Sequence, residues 1–254
     1  MDCEFSEFSY GYASIREAES VLAEIYRSLK APVLPSLLQE EKLGWDAHLS
    51  FVEYALFFQF KRAQFISRRH PKSHTWVHVN KRHYRFSIDT DGHQHRALLR
   101  LQERLQTNGA GDVYYAAPIF HRQAEFDRHY AFGQVLHRSA LVPPGEFGEG
   151  DGRHSYVTTE DGNSRVLSDP RPPRFRVSWD GIVGRAADRA GNAGQQQDRQ
   201  RVSLGALEEA MLESAWQMGR GRERDVDAPP LRRIHRLAAQ LDCGLVLFTL
   251  ADER

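Results

Sequence analysis

The reading of this chain turns on residues 54–64, YALFFQFKRAQ. As an extended strand, this stretch puts Phe57 on one face and Phe58 and Phe60 on the other. Neither face suits solvent, so the strand belongs inside a sheet covered on both sides. Gln59 and Lys61 then fall two apart, on the face of Phe57. A buried strand that ends with an amide and an amine pointing the same way implies a polar corner at its end.

The preceding residues supply candidates for that corner. WDAHLSF (45–51) alternates, with Asp46, His48 and Ser50 on one face and Trp45, Ala47, Leu49 and Phe51 on the other. If the two strands pair antiparallel, Asp46 lies beside Lys61, and Asp46, Gln59 and Lys61 share one sheet edge. PSLLQEEKLG (35–44) fits a short helix that stops at Gly44. Its Glu40 and Glu41 are within reach of the same corner. A carboxylate and an amide oxygen can hold Mg²⁺ or Mn²⁺, hard ions that prefer oxygen ligands. A lysine beside them loses basicity when buried, and can then orient or deprotonate a water. The set points to metal-assisted phosphodiester hydrolysis. One acid alone binds Mg²⁺ weakly, so a helix glutamate belongs to the site.

Charge segregation adds a second signal. From Tyr54 through Ile88 there is no Asp or Glu, while Lys61, Arg62, Arg68, Arg69, Lys72, Lys81, Arg82 and Arg85 all lie there. His70, His74, His78 and His83 add to them, and Phe65, Trp76, Tyr84 and Phe86 are interleaved. In a chain with 34 basic and 34 acidic residues, this is the footprint expected for a phosphate backbone, and the aromatics can stack on unpaired bases. A nucleic acid is the expected partner, with the seven basic residues from Arg62 to Arg85 as its contacts.

The rest of the chain reads as alternating elements. Residues 14–30 fit an amphipathic helix with Ser14 as N-cap, and APVLP then breaks the chain. A strand within residues 76–88 ends at YRFSI, a helix follows over HRALLRLQERLQ, and VYYAAPIF is a strand. A short helix over 123–137 and the strands SALVP and HSYVTT come next. Residues 169–201 turn poor in large apolar residues and rich in Gly, Ala, Gln and Arg, the composition of a loop or linker. Residues 202–254 read as a helix–helix–strand unit ending in LVLFTL, which could join the main sheet or form a small subdomain. The expected organisation is a domain over 1–168, a linker over 169–201 and a C-terminal unit over 202–254. The fold class is α/β with a mixed sheet. On the first C-terminal helix, Leu204, Leu207, Met211 and Trp216 make a stripe that suits core packing better than docking.

Several classes are disfavoured. Cys3 and Cys243 form no CxxC pair, and with His93, His95, His121 and His129 they give no zinc spacing. Walker, GxGxxG, nucleophile-elbow and HExxH motifs do not occur. The N-terminal residues lack signal-peptide character, and no apolar run approaches the roughly 20 residues of a membrane helix. A cytoplasmic protein is expected.

The run EEKLGWDAHLSF…ALFFQFK resembles the active-site signature of the PD-(D/E)xK nuclease superfamily, in the QxK variant of Mrr-like restriction endonucleases. That pattern is a helix glutamate, a Gly-aromatic-Asp step and a hydrophobic strand ending in Gln-x-Lys. It falls here on Glu40 or Glu41, on Gly44-Trp45-Asp46 and on Gln59-Phe60-Lys61. The resemblance spans residues 13–120 and implies a restriction-endonuclease-like mixed sheet flanked by helices. It implies Asp46, Gln59 and Glu40 as ligands of Mg²⁺ (or Mn²⁺) and Lys61 as the catalytic lysine. It also implies DNA as substrate, and a prokaryotic defence or restriction role as effector of a larger system with a partner protein. In this sequence a Gln stands where an acid is commoner. The rival expectation is an inactive nuclease-fold module that binds nucleic acid or docks a protein.

Overall fold

The structure is a computed structural model that describes residues 1–28, 32, 51–69, 74–107, 109, 111–150, 152–167, 170–193, 202–219 and 228–249. The chain opens with α1 (Glu7–Leu22) and β1 (Arg27–Ser28), followed by β2 (Phe51–Val52), β3 (Tyr54–Phe60) and β4 (Gln64–Ile66). Next come α2 (His74–Val79), β5 (His83–Asp89), α3 (His93–Thr107), β6 (Gly111–Pro118), α4 (Gln123–Ala131) and β7 (Ser139–Val142). After a 3-10 turn at Pro144–Glu146 stand β8 (Arg153–Thr158), β9 (Ser164–Val166), α5 (Trp179–Ala193) and β10 (Val202–Ser203). The last described elements are α6 (Leu204–Gln217), α7 (Pro230–Gln240) and β11 (Gly244–Thr249).

The protein is a mixed α/β fold. Its main sheet runs β1-β11-β3-β6-β7, and a second sheet runs β4-β5-β8-β9. In the main sheet β3 is parallel to β6 and antiparallel to β11. Every residue of β3 is buried, as its aromatic sequence requires. Ala55 and Phe57 enter the layer of α3, α6 and α7, with Leu98, Leu101, Met211 and Ile234. Tyr54, Leu56, Phe58 and Phe60 enter the opposite layer of α1, α4 and α5, with Tyr10, Ile15, Phe126 and Trp179. Strand β6 is buried throughout for the same reason. Among the described residues, no helix is long and apolar enough to cross a membrane.

Three expectations are corrected. The first helix starts at Glu7, because the Ser6 Oγ accepts from the Ser9 N–H at 2.9 Å and caps it there. Ser14 lies mid-helix and donates its hydroxyl back to the Tyr10 carbonyl, a bond that competes with no cap. The strand expected within 76–88 is present as β5; the helix α2 precedes it, and Asn80, at φ 51°, ends that helix in the left-handed region that Asn tolerates. The early hairpin does not form, because both edges of β3 are occupied by β11 and β6, and β2 pairs with β10 instead.

The stretch read as a linker also changes. It contains α5, whose Trp179, Ile182 and Ala186 are buried against the α1 layer. Ahead of it, the buried Glu146 carboxylate accepts from the Arg171 guanidinium at 2.5 Å and from the Arg174 and Phe175 N–H groups. The C-terminal strand β11 joins the main sheet beside β3, so residues 228–249 belong to the same core as the first half of the chain.

Candidate active site

Gln59 and Lys61 mark the carboxyl end of β3, where the parallel pair β3/β6 finishes. The Lys61 N–H still donates to the Ala116 carbonyl at 2.9 Å, so the lysine leaves the sheet from a fixed backbone. The register Gly244↔Phe58 puts the residues just before β11 level with this end of β3. Asp242 stands there, in a left-handed conformation (φ 56°) immediately after α7. Asp tolerates that region because its short polar side chain bonds locally.

Three side chains close on one another. Gln59, only 2% exposed, donates its Nε2 to Asp242 Oδ2 at 3.5 Å. Gln94, from the first turn of α3, donates its Nε2 to Gln59 Oε1 at 2.5 Å and to Asp242 Oδ2 at 3.3 Å. Sequence reasoning placed Gln59 on the face of Phe57, and Phe57 and α3 share that layer.

Lys61 is part-buried above the Tyr115 ring, with Nζ 5.7 Å from its centroid. Burial lowers its pKa, while the charges of Glu7 and Asp242 partly offset that effect. Glu7, in the first turn of α1, responds in the opposite sense. Crowding raises its carboxyl pKa, and Lys61 and Asp242 act on it with opposite signs. Below the lysine, His95 Nε2 lies 2.5 Å from the Gly148 carbonyl and must donate to it. Burial keeps this imidazole below its ordinary pKa and therefore neutral. Its Nδ1 then accepts from the Tyr115 hydroxyl at 2.8 Å. This chain of bonds fixes the aromatic ring under Lys61.

A cavity of about 470 Å³ opens beside this corner, lined by Lys61, Asp89, His93, Gln94, Tyr115 and Arg153 among others. It exists because β4 pairs only with His83–Arg85 of β5, whereas β8 follows β5 as far as Asp89. The later half of β5 thus has no strand on its β4 side among the described residues, and the cavity occupies that edge.

The predicted residues divide into groups. Asp46, Glu40, Glu41 and Lys72 lie outside the described residues. Gln59 and Lys61 both lie at the end of β3, Gln59 bonded to Gln94 and Asp242 and Lys61 lining the cavity with Gln94. Arg62 is exposed next to them, and Arg68 and Arg69 are exposed on the turn after β4. Lys81 and Arg82 precede β5 at the end far from the cavity, roughly 20 Å from Ile88 at about 3.3 Å per residue. Lys81 pairs there with Asp161 at 3.0 Å. Arg85 donates to Gln64 Oε1 at 2.5 Å. By the register Ile66↔His83, the described Arg68 and Arg69 stand at the same end of the β4/β5 pair as Lys81 and Arg82, with Arg62 at the other end. Leu204, Leu207 and Met211 face the core, while Trp216 is 56% exposed.

Glu7, Gln94, Asp242 and Arg153 were missed. The carboxylates and amide at this corner are hard oxygen donors, of the kind Mg²⁺ and Mn²⁺ take. Among the described residues, no three His, Cys, Asp or Glu side chains group at metal-binding range. No protein-family model matches the sequence, and neither a curated protein nor a solved structure matches it.

Proposed function

We propose that the protein is a restriction-endonuclease-like, metal-dependent nuclease that hydrolyses phosphodiester bonds of nucleic acid, with DNA the preferred substrate. It would work in the cytoplasm, as an effector in prokaryotic defence alongside a partner protein. The observation that carries this reading is the bonding of the buried Gln59 to Gln94 and Asp242 at the end of a buried parallel strand pair, beside a cavity lined by Lys61, Arg153 and His93. A lysine whose pKa is lowered by burial gives up its own proton more readily than a free lysine, and can then accept one from an attacking water. Arg153 and His93 offer donors to phosphate oxygens, and Tyr115 offers a ring face on the same wall. A bound Mg²⁺ or Mn²⁺, held by Asp46, Gln59 and Glu40, would lower the pKa of that water and offset phosphate charge.

The rival reading is a non-catalytic module of the same fold that binds nucleic acid or docks a protein. One observation favours it: Gln59 Oε1 already accepts a short bond from Gln94, so the amide is partly satisfied without a metal. A nuclease assay separates the two. Wild type, Asp46→Ala and Lys61→Ala are incubated with Mg²⁺ or Mn²⁺ and single- or double-stranded DNA or RNA, with and without the proteins encoded beside it. Cleavage by wild type, lost at least 100-fold in both variants, is the expected result for one general base. Salt-sensitive binding with no cleavage under any of these conditions would establish the module instead.

A further inference from the structure

Position 59 holds an amide where the proposed chemistry more often uses an acid, and the C-terminal strand gives a reason. We propose that Asp242 is the positioning residue of this site. It turns the Gln59 amide so that the carbonyl oxygen faces Gln94, which lines the cavity, and it supplies the negative charge that a glutamate at position 59 would otherwise bring. The role of that oxygen rests on the nuclease reading; the coupling between the two residues does not.

The geometry allows one arrangement of hydrogen-bond donors. An ionised carboxylate only accepts, and the NH₂ of a glutamine is its sole donor. Asp242 Oδ2 therefore faces Gln59 Nε2 at 3.5 Å and Gln94 Nε2 at 3.3 Å, which leaves Gln59 Oε1 on the side of Gln94. Reversing the Gln59 amide would set its oxygen against the Asp242 carboxylate and its nitrogen against the Gln94 nitrogen. That oxygen meets Gln94, which itself lines the cavity. A glutamate at 59 would put two carboxylates within about 3.5 Å of each other at a buried position. Like charges so close cannot both ionise, and one carboxyl would be forced to keep its proton. An aspartate delivered by the last strand and a glutamine on the central strand thus share one negative charge between two side chains.

The test uses the full chain with Gln59→Glu, Asp242→Asn and the two combined. Asn keeps the left-handed backbone at 242, so the single variant retains the turn. Urea unfolding midpoints at pH 7.5 should fall for Gln59→Glu and recover when Asp242→Asn is added. Mn²⁺ titrated calorimetrically should bind the double variant at least tenfold more tightly than Gln59→Glu alone. Equal losses from Gln59→Glu with and without Asp242→Asn would overturn the proposal. If wild type binds no Mn²⁺, the metal reading fails while the midpoints still decide the role of Asp242. Should Gln59→Glu fail to fold in either background, Asp242→Asn alone decides. Removing the carboxylate frees the amide it holds, so the Gln59 side-chain NH₂ resonances in ¹⁵N NMR should shift and exchange faster with water, and unmoved resonances would sink the idea.

Discussion

Lys61 sits where its charge is costly. Burial lowers its pKa below the ordinary 10.5, so in the window just under that value the unfolded chain binds more protons than the folded one. Wild-type stability therefore rises with pH through that window. Lys61→Met removes the cost and should melt higher than wild type at pH 7 by about 2–4 °C, the shift made by roughly 1 kcal/mol in a protein of this size. The gap should close as pH approaches 10.5, which thermal melts over pH 7–10.5 would check; a variant that melts lower throughout would show the lysine to be structural. A residue that loses activity while gaining stability marks a functional site. Gln59 and Lys61 were legible in the sequence because the period of two fixes the face of each. Asp242 and Gln94 were not, since they are 183 and 35 residues from Gln59 and only tertiary pairing brings them close. Asp242 did leave a trace, as an acid just before a buried strand.

At the scale of elements, packing around β3 rests on close approach. A Cβ built on Gly11 of α1 would lie 2.9 Å from the Phe60 ring, and one on Gly244 of β11 would lie 2.8 Å from it. Phe60 thus fills a slot that two glycines keep open between a helix and a strand. Gly11→Ala should destabilise the fold by about 1–3 kcal/mol through overpacking, despite the better helix propensity of alanine. Urea unfolding would measure it, and a neutral or stabilising outcome would mean that Phe60 can move aside. Strong periodic signals made β3, α3, β6 and β11 readable. Helix α5 was hidden because Trp179, Ile182 and Ala186 form a thin stripe among Gly, Ala and Arg. Strand order stayed out of reach, because nothing local says that β11 rather than the preceding strand flanks β3.

The whole molecule does not divide where composition suggests. Strand β11 lies between β1 and β3, and α6 and α7 share the core of α3. The buried Glu208 carboxylate accepts from Arg233 Nε and Nη2, each at 2.7 Å, and locks α6 to α7. A chain cut after residue 201 would expose the β3 edge and the Phe57 layer together. It should be insoluble or lack a cooperative melt, rather than behave as a free nuclease domain; a sharp thermal transition in that fragment would reverse this conclusion. The position of β11 also has a consequence for biosynthesis. The main sheet cannot close until residues 244–249 have left the ribosome, so its central strand, YALFFQF, waits with one edge bare through some 190 further residues of translation. At about 5–20 residues per second, that wait lasts on the order of 10–40 s. A nascent chain so exposed is a natural client for chaperones.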